Sequence, residues 1–253
     1  MNAAVVICLD RNKLVEQEYG PPVQYFYEVE AVNCVRAWRE NAKWQDQICA
    51  VQYEGREVSD KTAAALEQAG VEIFTMRLPH IRKPFMEVVY VLRAAEAGEI
   101  CNADRILYSD LDVVMQKPVP AEFLKPGCTV LYHYPAGSAE PERDSPEFVY
   151  RMNRCRSLGI FCHNTYFQAF DKGGSIQRTI FDSVSSAEYE AFFENNVYYR
   201  PTDDDYFFEE GLYDYVCSTM GKKFNIIDVE CPSDFFIHVH AHTRLLKHGK
   251  TTL

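Results

Sequence analysis

Ala103-Asp104-Arg105-Ile106-Leu107-Tyr108-Ser109-Asp110-Leu111-Asp112-Val113-Val114 opens as an apolar run and ends in two aspartates separated by one residue. Residues 105–109 read as a strand, and Pro118 and Pro120 close the unit behind it. Carboxylates two residues apart, where a strand gives way to a loop, can converge on one hard divalent cation. An Asp-x-Asp pair alone is common by chance in an acidic chain, and its bland reading is a solvated loop. The flanks distinguish this one: an apolar strand ending in Tyr-Ser precedes it, and Val-Val-Met-Gln-Lys-Pro-Val-Pro follows.

Toward the N-terminus, short β-rich runs alternate with helical stretches. Strands are expected at 3–9, 47–53 and 71–76, and helices at 27–41, 59–70 and 85–97. The first helix carries an apolar stripe through Val32, Val35, Ala37 and Trp38, the second a serine N-cap at Ser59 and a closing Gly70, and the third ends at Gly98. This alternation predicts an α/β fold with a largely parallel sheet. Right-handed crossovers, with ligands at the carboxyl ends of parallel strands, then put Asp10, Met76, Arg77, Asp110 and Asp112 near one rim.

Beyond Pro120 the pattern is less regular. A strand is expected at 129–134, a polar surface loop at 135–154, a strand pair or bent strand at 159–170, one long helix at 175–194 and another at 203–220. In residues 235–242 alternation puts His238, His240 and His242 on one strand face and Phe235, Ile237, Val239 and Ala241 on the other.

The 253 residues, 47% hydrophobic, suffice for a sizeable core and predict one domain over 1–253. With 26 basic against 37 acidic residues and a net charge of −11, the chain is a poor match for nucleic acid or an anionic membrane surface. Nine cysteines without a Cys-x-x-Cys pair read as buried thiols of a reducing compartment. The first strand lacks the basic leader of a signal peptide, and no apolar stretch reaches the ~18–20 residues that span a bilayer. A cytoplasmic protein is expected, with peripheral membrane contact left open.

Within residues 80–123, Arg82-Lys83-Pro84-Phe85, the strand with its two aspartates, and Val119-Pro120-Ala121-Glu122-Phe123 together resemble the core of GT-A glycosyltransferases. The likeness is greatest to the family-8 retaining enzymes, such as glycogenin and the lipopolysaccharide galactosyltransferases. Gly159-Ile160-Phe161-Cys162-His163-Asn164-Thr165-Tyr166-Phe167 resembles the family's strand whose asparagine lies beside the donor sugar, although Asn164-Thr165-Tyr166 replaces the usual Asn-Ser/Thr-Gly. Asp203-Asp204-Asp205 resembles the Asp-Gln-Asp segment at the donor hydroxyls, and the histidine cluster falls where the family places its histidine ligand. The C-terminus departs from His-x-x-Gly-x-x-Lys-Pro-Trp, reading His242-Thr243-Arg244-Leu245-Leu246-Lys247-His248-Gly249-Lys250.

The resemblance implies a Rossmann-like, mostly parallel sheet flanked by helices, with a nucleotide-binding half at 1–120 and a smaller mixed acceptor-side region at 121–253. It implies transfer of a sugar from a nucleotide sugar, UDP-linked, to a hydroxyl of a glycan, lipid-glycan or protein, with retention and with Mn²⁺ or Mg²⁺. Asp110 and Asp112 would hold the metal together with His240 or His242. Asp10, Lys83, Asp110, Lys247 and Lys250 would contact the nucleotide sugar, and Asp203, Asp205 and Asn164 would carry the chemistry. Two carboxylates, an imidazole, diphosphate oxygens and water suit Mn²⁺ better than Zn²⁺ or Ca²⁺. The blander readings are a basic patch at a helix start for Arg82 and Lys83, and helix capping for the three aspartates. An inverting enzyme would instead need a carboxylate base, with Asp205, Glu209 and Glu210 as candidates. A nucleotidyltransferase would carry a glycine-rich loop after the first strand, where this chain has Asp10-Arg11-Asn12-Lys13 and no glycine until Gly20. A catalytically silent glycan- or nucleotide-binding relative would have lost an acid or a histidine.

Overall fold

The computed structural model describes residues 2–9, 22–77, 86–135, 146–173, 175–184, 186–196, 208–230 and 234–238. Strand β1 (Ala3–Cys8) lies beside β2 (Gln47–Tyr53), and β2 beside β3 (Val71–Met76). On the other side of β1 come β4 (Arg105–Ser109), β7 (Cys162–Asp171), β6 (Thr129–Tyr134) and β8 (Ile226–Glu230), giving a seven-stranded sheet in the order β3-β2-β1-β4-β7-β6-β8. Only β7 runs against its neighbours; the β1–β2, β2–β3, β1–β4 and β6–β8 pairs are parallel. A separate antiparallel ribbon pairs β5 (Val113–Met115) with β9 (Phe236–His238).

Every residue of β1 and β4 is buried, because helices cover both faces of the sheet and no face is left for polar side chains. Ala3, Val5 and Ile7 pack with Cys34, Val35 and Trp38 of α1 (Pro22–Glu40), whereas Ala4, Val6 and Cys8 belong to the core of Leu92 and Ala95 from α3 (Met86–Ala97). Between them α2 (Asp60–Gln68) forms as the sequence predicts: the Ser59 hydroxyl accepts the Thr62 N–H at 3.3 Å, and Gly70 closes the helix at φ +71°.

Strand order decides where a ligand sits. The chain steps from β1 outward to β2 and β3, then returns to place β4 on the other flank of β1. The carboxyl ends of β1 and β4 therefore frame the crevice at the topological switch point. Ile7 is level with Ser109, so Asp110 emerges beside the end of β1.

Three expectations are corrected, and a fourth resolves to one of its two alternatives. Residues 135–154 do not form a loop throughout: α4 (Pro146–Leu158) occupies their second half, with Met152 and Arg151 buried. Of the two alternatives for 159–170, a strand pair or a bent strand, the structure has the single strand, β7, with a register break. Leu131 pairs with Gln168 but Tyr132 pairs with Asn164, so residues 165–167 bulge relative to β6 while Phe167 stays opposite Ser109 of β4. The long helix at 175–194 is two, α5 (Ile176–Ser183) and α6 (Ala187–Asn196). Ser183 turns its hydroxyl back to the Thr179 carbonyl at 2.8 Å, and the Ser186 hydroxyl accepts the Tyr189 N–H at 3.0 Å, which caps a fresh helix. Phe235 and Ile237 share no apolar face: Phe235 and Phe236 are both buried against Phe167 and Tyr132, and Ile237 is 52% exposed.

The last long helix, α7 (Phe208–Met220), lies within the expected 203–220. All eight described cysteines are buried except for the half-buried Cys217. No helix among the described residues is long and apolar enough to cross a membrane.

Candidate functional site

Asp110 and Asp112 lie in one tight turn at the carboxyl end of β4. The Val113 N–H donates to the Asp110 carbonyl at 3.2 Å, closing the four-residue loop, and the Asp110 N–H donates to the Tyr166 carbonyl at 2.8 Å. That second bond comes from the bulge in β7, so the strand irregularity anchors the acidic turn. The Tyr108 hydroxyl donates to Asp110 Oδ1 at 2.5 Å, while the Ser109 hydroxyl and the Cys34 thiol both approach the Asp110 carbonyl, at 3.1 and 3.6 Å.

The electrostatics here are strongly negative. Burial pushes the Asp110 carboxyl well above the usual carboxylate range, with Asp112 and Glu210 raising it further against the downward pull of the Tyr108 hydrogen bond. Glu30, on α1, is pushed up to about 8, first by burial and then by Asp112, and its Oε1 is buried with no hydrogen-bond partner among the described residues. Burial and the same acids push the Cys34 thiol up to about 12.

Opposite the turn, α4 and α7 meet over β7. Arg151 is fully buried and forks onto Asp214, Nε to Oδ2 at 2.8 Å and Nη2 to Oδ1 at 3.0 Å. Its Nη1 bonds Glu210, and Nη2 also donates to the His163 carbonyl at 2.6 Å. Burial lifts Glu210 to about 7, with Arg151 pulling down and Asp214 pushing up. The Tyr134 and Tyr166 hydroxyls are hydrogen-bonded to each other, and both titrate well above the ordinary phenol range through burial and, among other charges, Glu210. Next to His163, Asn164 is completely buried; its Oδ1 accepts the Tyr166 N–H at 3.3 Å, and its Nδ2 has no partner among the described residues.

Of the residues singled out in the sequence, the fold thus gathers Asp110, Asp112 and Asn164 at one rim. Asp10, Lys83, Asp203, Asp205, His240, His242, Lys247 and Lys250 lie outside the described residues. The backbone of His238 is opposite Val113, so the chain leaves β9 one register step from Asp112. Sequence reading named Glu210 only as a candidate base for inversion and missed Glu30, Arg151 and Asp214, although the acids leave a trace. Glu30 falls four and eight residues before Cys34 and Trp38, on the buried stripe of α1, and Glu210 and Asp214 interrupt the apolar run Leu212-Tyr213-Tyr215-Val216.

These carboxylates fit a hard cation: their mutual repulsion is what a bound divalent ion would relieve, and oxygen donors suit Mn²⁺ or Mg²⁺. No group of three or more acids, histidines or cysteines among the described residues is arranged to hold a metal by itself.

No protein-family model matches the chain, and no curated protein does. Among solved structures it resembles mouse xyloside xylosyltransferase 1 in its apo form, with a TM-score of 0.56 at 11% identity over 91% of this chain and 86% of that one. It also resembles the galactosyltransferase LgtC in complex with donor and acceptor sugar analogues, with a TM-score of 0.51 at 12% identity over 89% of this chain and 73% of that one. The chain has the fold of these glycosyltransferases. This is the GT-A architecture that the sequence predicts, and identities this low speak for the fold rather than for a shared substrate.

Proposed function

We propose that the chain is a glycosyltransferase that moves a sugar from a nucleotide sugar, UDP-linked, to a hydroxyl of a glycan, lipid-glycan or protein, with Mn²⁺ and with retention. The observation that carries the reading is the Asp110–Asp112 turn at the switch point of a glycosyltransferase fold, where Asp112 raises the proton affinity of Asp110 and Glu30. Asp110 and Asp112 would hold the cation, with His240 or His242 and the diphosphate completing its ligands. Bound there, the ion supplies charge neutralisation for the departing diphosphate.

The chain's own groups account for the rest. Lys83 is assigned to the sugar region and Lys247 or Lys250 to the diphosphate, and Asp10, which follows β1 in the sequence, to the nucleotide sugar. Asn164 offers a buried amide N–H₂ with no partner among the described residues, suited to a sugar hydroxyl or ring oxygen. Asp203 and Asp205 precede α7 and are assigned to the donor sugar and its anomeric carbon. Retention of configuration rests on the order of these features along the chain.

The test is a panel of nucleotide sugars with and without Mn²⁺, following nucleoside diphosphate release and, for a working pair, the anomeric configuration of the product by NMR. Release from at least one UDP-sugar only when Mn²⁺ or Mg²⁺ is present is the expected outcome. Absence of both binding and turnover with every donor overturns the transferase reading; an inverted product overturns retention alone and redirects attention to Glu210 as a base.

A further inference from the structure

Among the described residues two arginines are completely buried, and they are at opposite ends of the sheet. Arg105 begins β4 at the amino end and donates to the Phe123 carbonyl at 2.8 Å, the Cys128 carbonyl at 2.5 Å and Asp171 at 2.9 Å. None of these partners borders the acidic turn. Arg151 is at the carboxyl end, and its bonds reach two acids one helical turn apart on α7 and the backbone carbonyl immediately before Asn164.

We propose that Arg151 is a positioning residue of the transfer site, fixing Asn164 and the first turns of α7 against the Asp110–Asp112 turn. The inference rests on the transferase reading for its kinetic consequence, though not for its geometry. A guanidinium presents its donors in a rigid planar fork, so one side chain sets the relative orientation of three elements. On β7 it holds the peptide of His163 and Asn164. Three residues further along, that strand's Tyr166 carbonyl holds the Asp110 N–H, and the Tyr166 hydroxyl is tied to Tyr134, a phenol that also feels the charge of Arg151. On α7 it fixes Glu210 and Asp214, and the acidic segment assigned to the donor sugar precedes Phe208 in the sequence. A lysine would keep the charge and lose the fork: one ammonium cannot reach both oxygens of Asp214, the Glu210 carboxylate and a carbonyl together.

The experiment compares Arg151→Lys, Asp214→Asn and Arg105→Lys in the full chain, with UDP-galactose, UDP-glucose and UDP-xylose plus Mn²⁺ as probes. Thermal unfolding and hydrogen exchange are measured beside kinetics. Arg151→Lys and Asp214→Asn are expected to lower kcat by about 10²-fold with little change in donor KM, the signature of misplaced rather than unbound substrate. In the same variants, peptides covering 107–113 and 162–168 should exchange at least tenfold faster. Arg105→Lys, used as the burial-matched control, should lower Tm while leaving kcat and those peptides unchanged. Equal kcat losses for Arg151→Lys and Arg105→Lys, or unaltered exchange at 107–113 and 162–168, overturn the proposal. If Arg151→Lys fails to fold, Asp214→Asn decides. A wild-type chain that releases UDP from no donor defeats the transferase reading, and the exchange comparison still decides the positioning role.

Discussion

The two ends of the sheet handle buried charge in opposite ways. At the amino end, the guanidinium of Arg105 is matched by two carbonyls and by Asp171, which keeps 30% of its side chain in water. At the carboxyl end, Arg151 faces two carboxylates that are almost wholly buried, and Asp110, Asp112 and Glu30 add further negative charge nearby. The first arrangement satisfies a charge in the core. The second gathers more carboxylate than the described cations can neutralise, which costs stability and is retained where a cationic or hydrogen-bonding ligand is expected.

The sharpest break of this contrast is Asp112→Asn. Loss of a cation ligand is expected to reduce transfer by roughly 10²–10⁴-fold, since charge stabilisation by a metal is worth several kcal/mol and each ~1.4 kcal/mol is tenfold. The metal-free variant should nevertheless be more stable than the wild type, because Asp112 is a source of repulsion on both Asp110 and Glu30. Steady-state UDP release and thermal unfolding in EDTA check the two halves. Full activity removes the metal role, and lowered stability removes the claim of electrostatic crowding.

Next in size is the removal of either arginine. Arg151→Met strands two buried carboxylates and should cost about 3–5 kcal/mol of stability, measured by denaturant unfolding. Glu210, which burial already lifts to about 7 and Arg151 pulls down, would then be protonated in the folded state well above its unfolded value. The folded protein would therefore hold more protons, and the loss would deepen as pH rises from about 5 to 8. Arg105→Met leaves two carbonyls and a partly hydrated aspartate, so its cost should be smaller and nearly independent of pH over that range. Matching pH profiles would erase the distinction between the two ends.

The same contrast explains what was legible in the sequence. The aliphatic strands β1, β2 and β4 and the cap and stop of α2 follow from apolar runs, Ser59 and Gly70, because a two-sided core leaves a nearly continuous hydrophobic signature. The acidic turn was visible for the same reason, as the point where such a run ends. In residues 121–253 the rule inverts. Arg151 sits in Pro-Glu-Phe-Val-Tyr-Arg-Met-Asn-Arg, which reads as solvated, yet that helix buries its arginine with Met152 and Cys155. Polarity predicts exposure only when charges lack buried partners, and Glu210 and Asp214 are 59 and 63 residues away in the chain. The bulge at residues 165–167 is likewise set by pairing with two different strands, which periodicity along one strand does not encode.

Glu30 offers a milder test of the carboxyl end. Its folded-state pKa of about 8 exceeds the ordinary 4.5, so between those pH values the folded state binds more protons than the unfolded one and stability falls as pH rises, levelling off above about 8. Glu30→Gln should remove that slope and stabilise the metal-free chain at pH 8 by about 1–3 kcal/mol, less than the full shift implies because part of the side chain stays hydrated. Chemical denaturation at pH 5 and pH 8 measures it, and an unchanged slope would show that Glu30 does not share the field of Asp112.

At the amino end the corresponding change should touch stability alone. Gly98 ends α3 at φ +78°, and a Cβ there would meet Lys172 Cε at 2.5 Å. The lysine is flexible and can swing aside, giving up its 3.2 Å bond to Asn102, so the main penalty of Gly98→Ala is the left-handed backbone, about 1–2 kcal/mol. A fall of a few degrees in Tm with kcat and KM intact is expected. A change in kcat would mean that distortions at the amino end reach the acidic turn through β4, and the two ends would then have to be treated as one coupled unit.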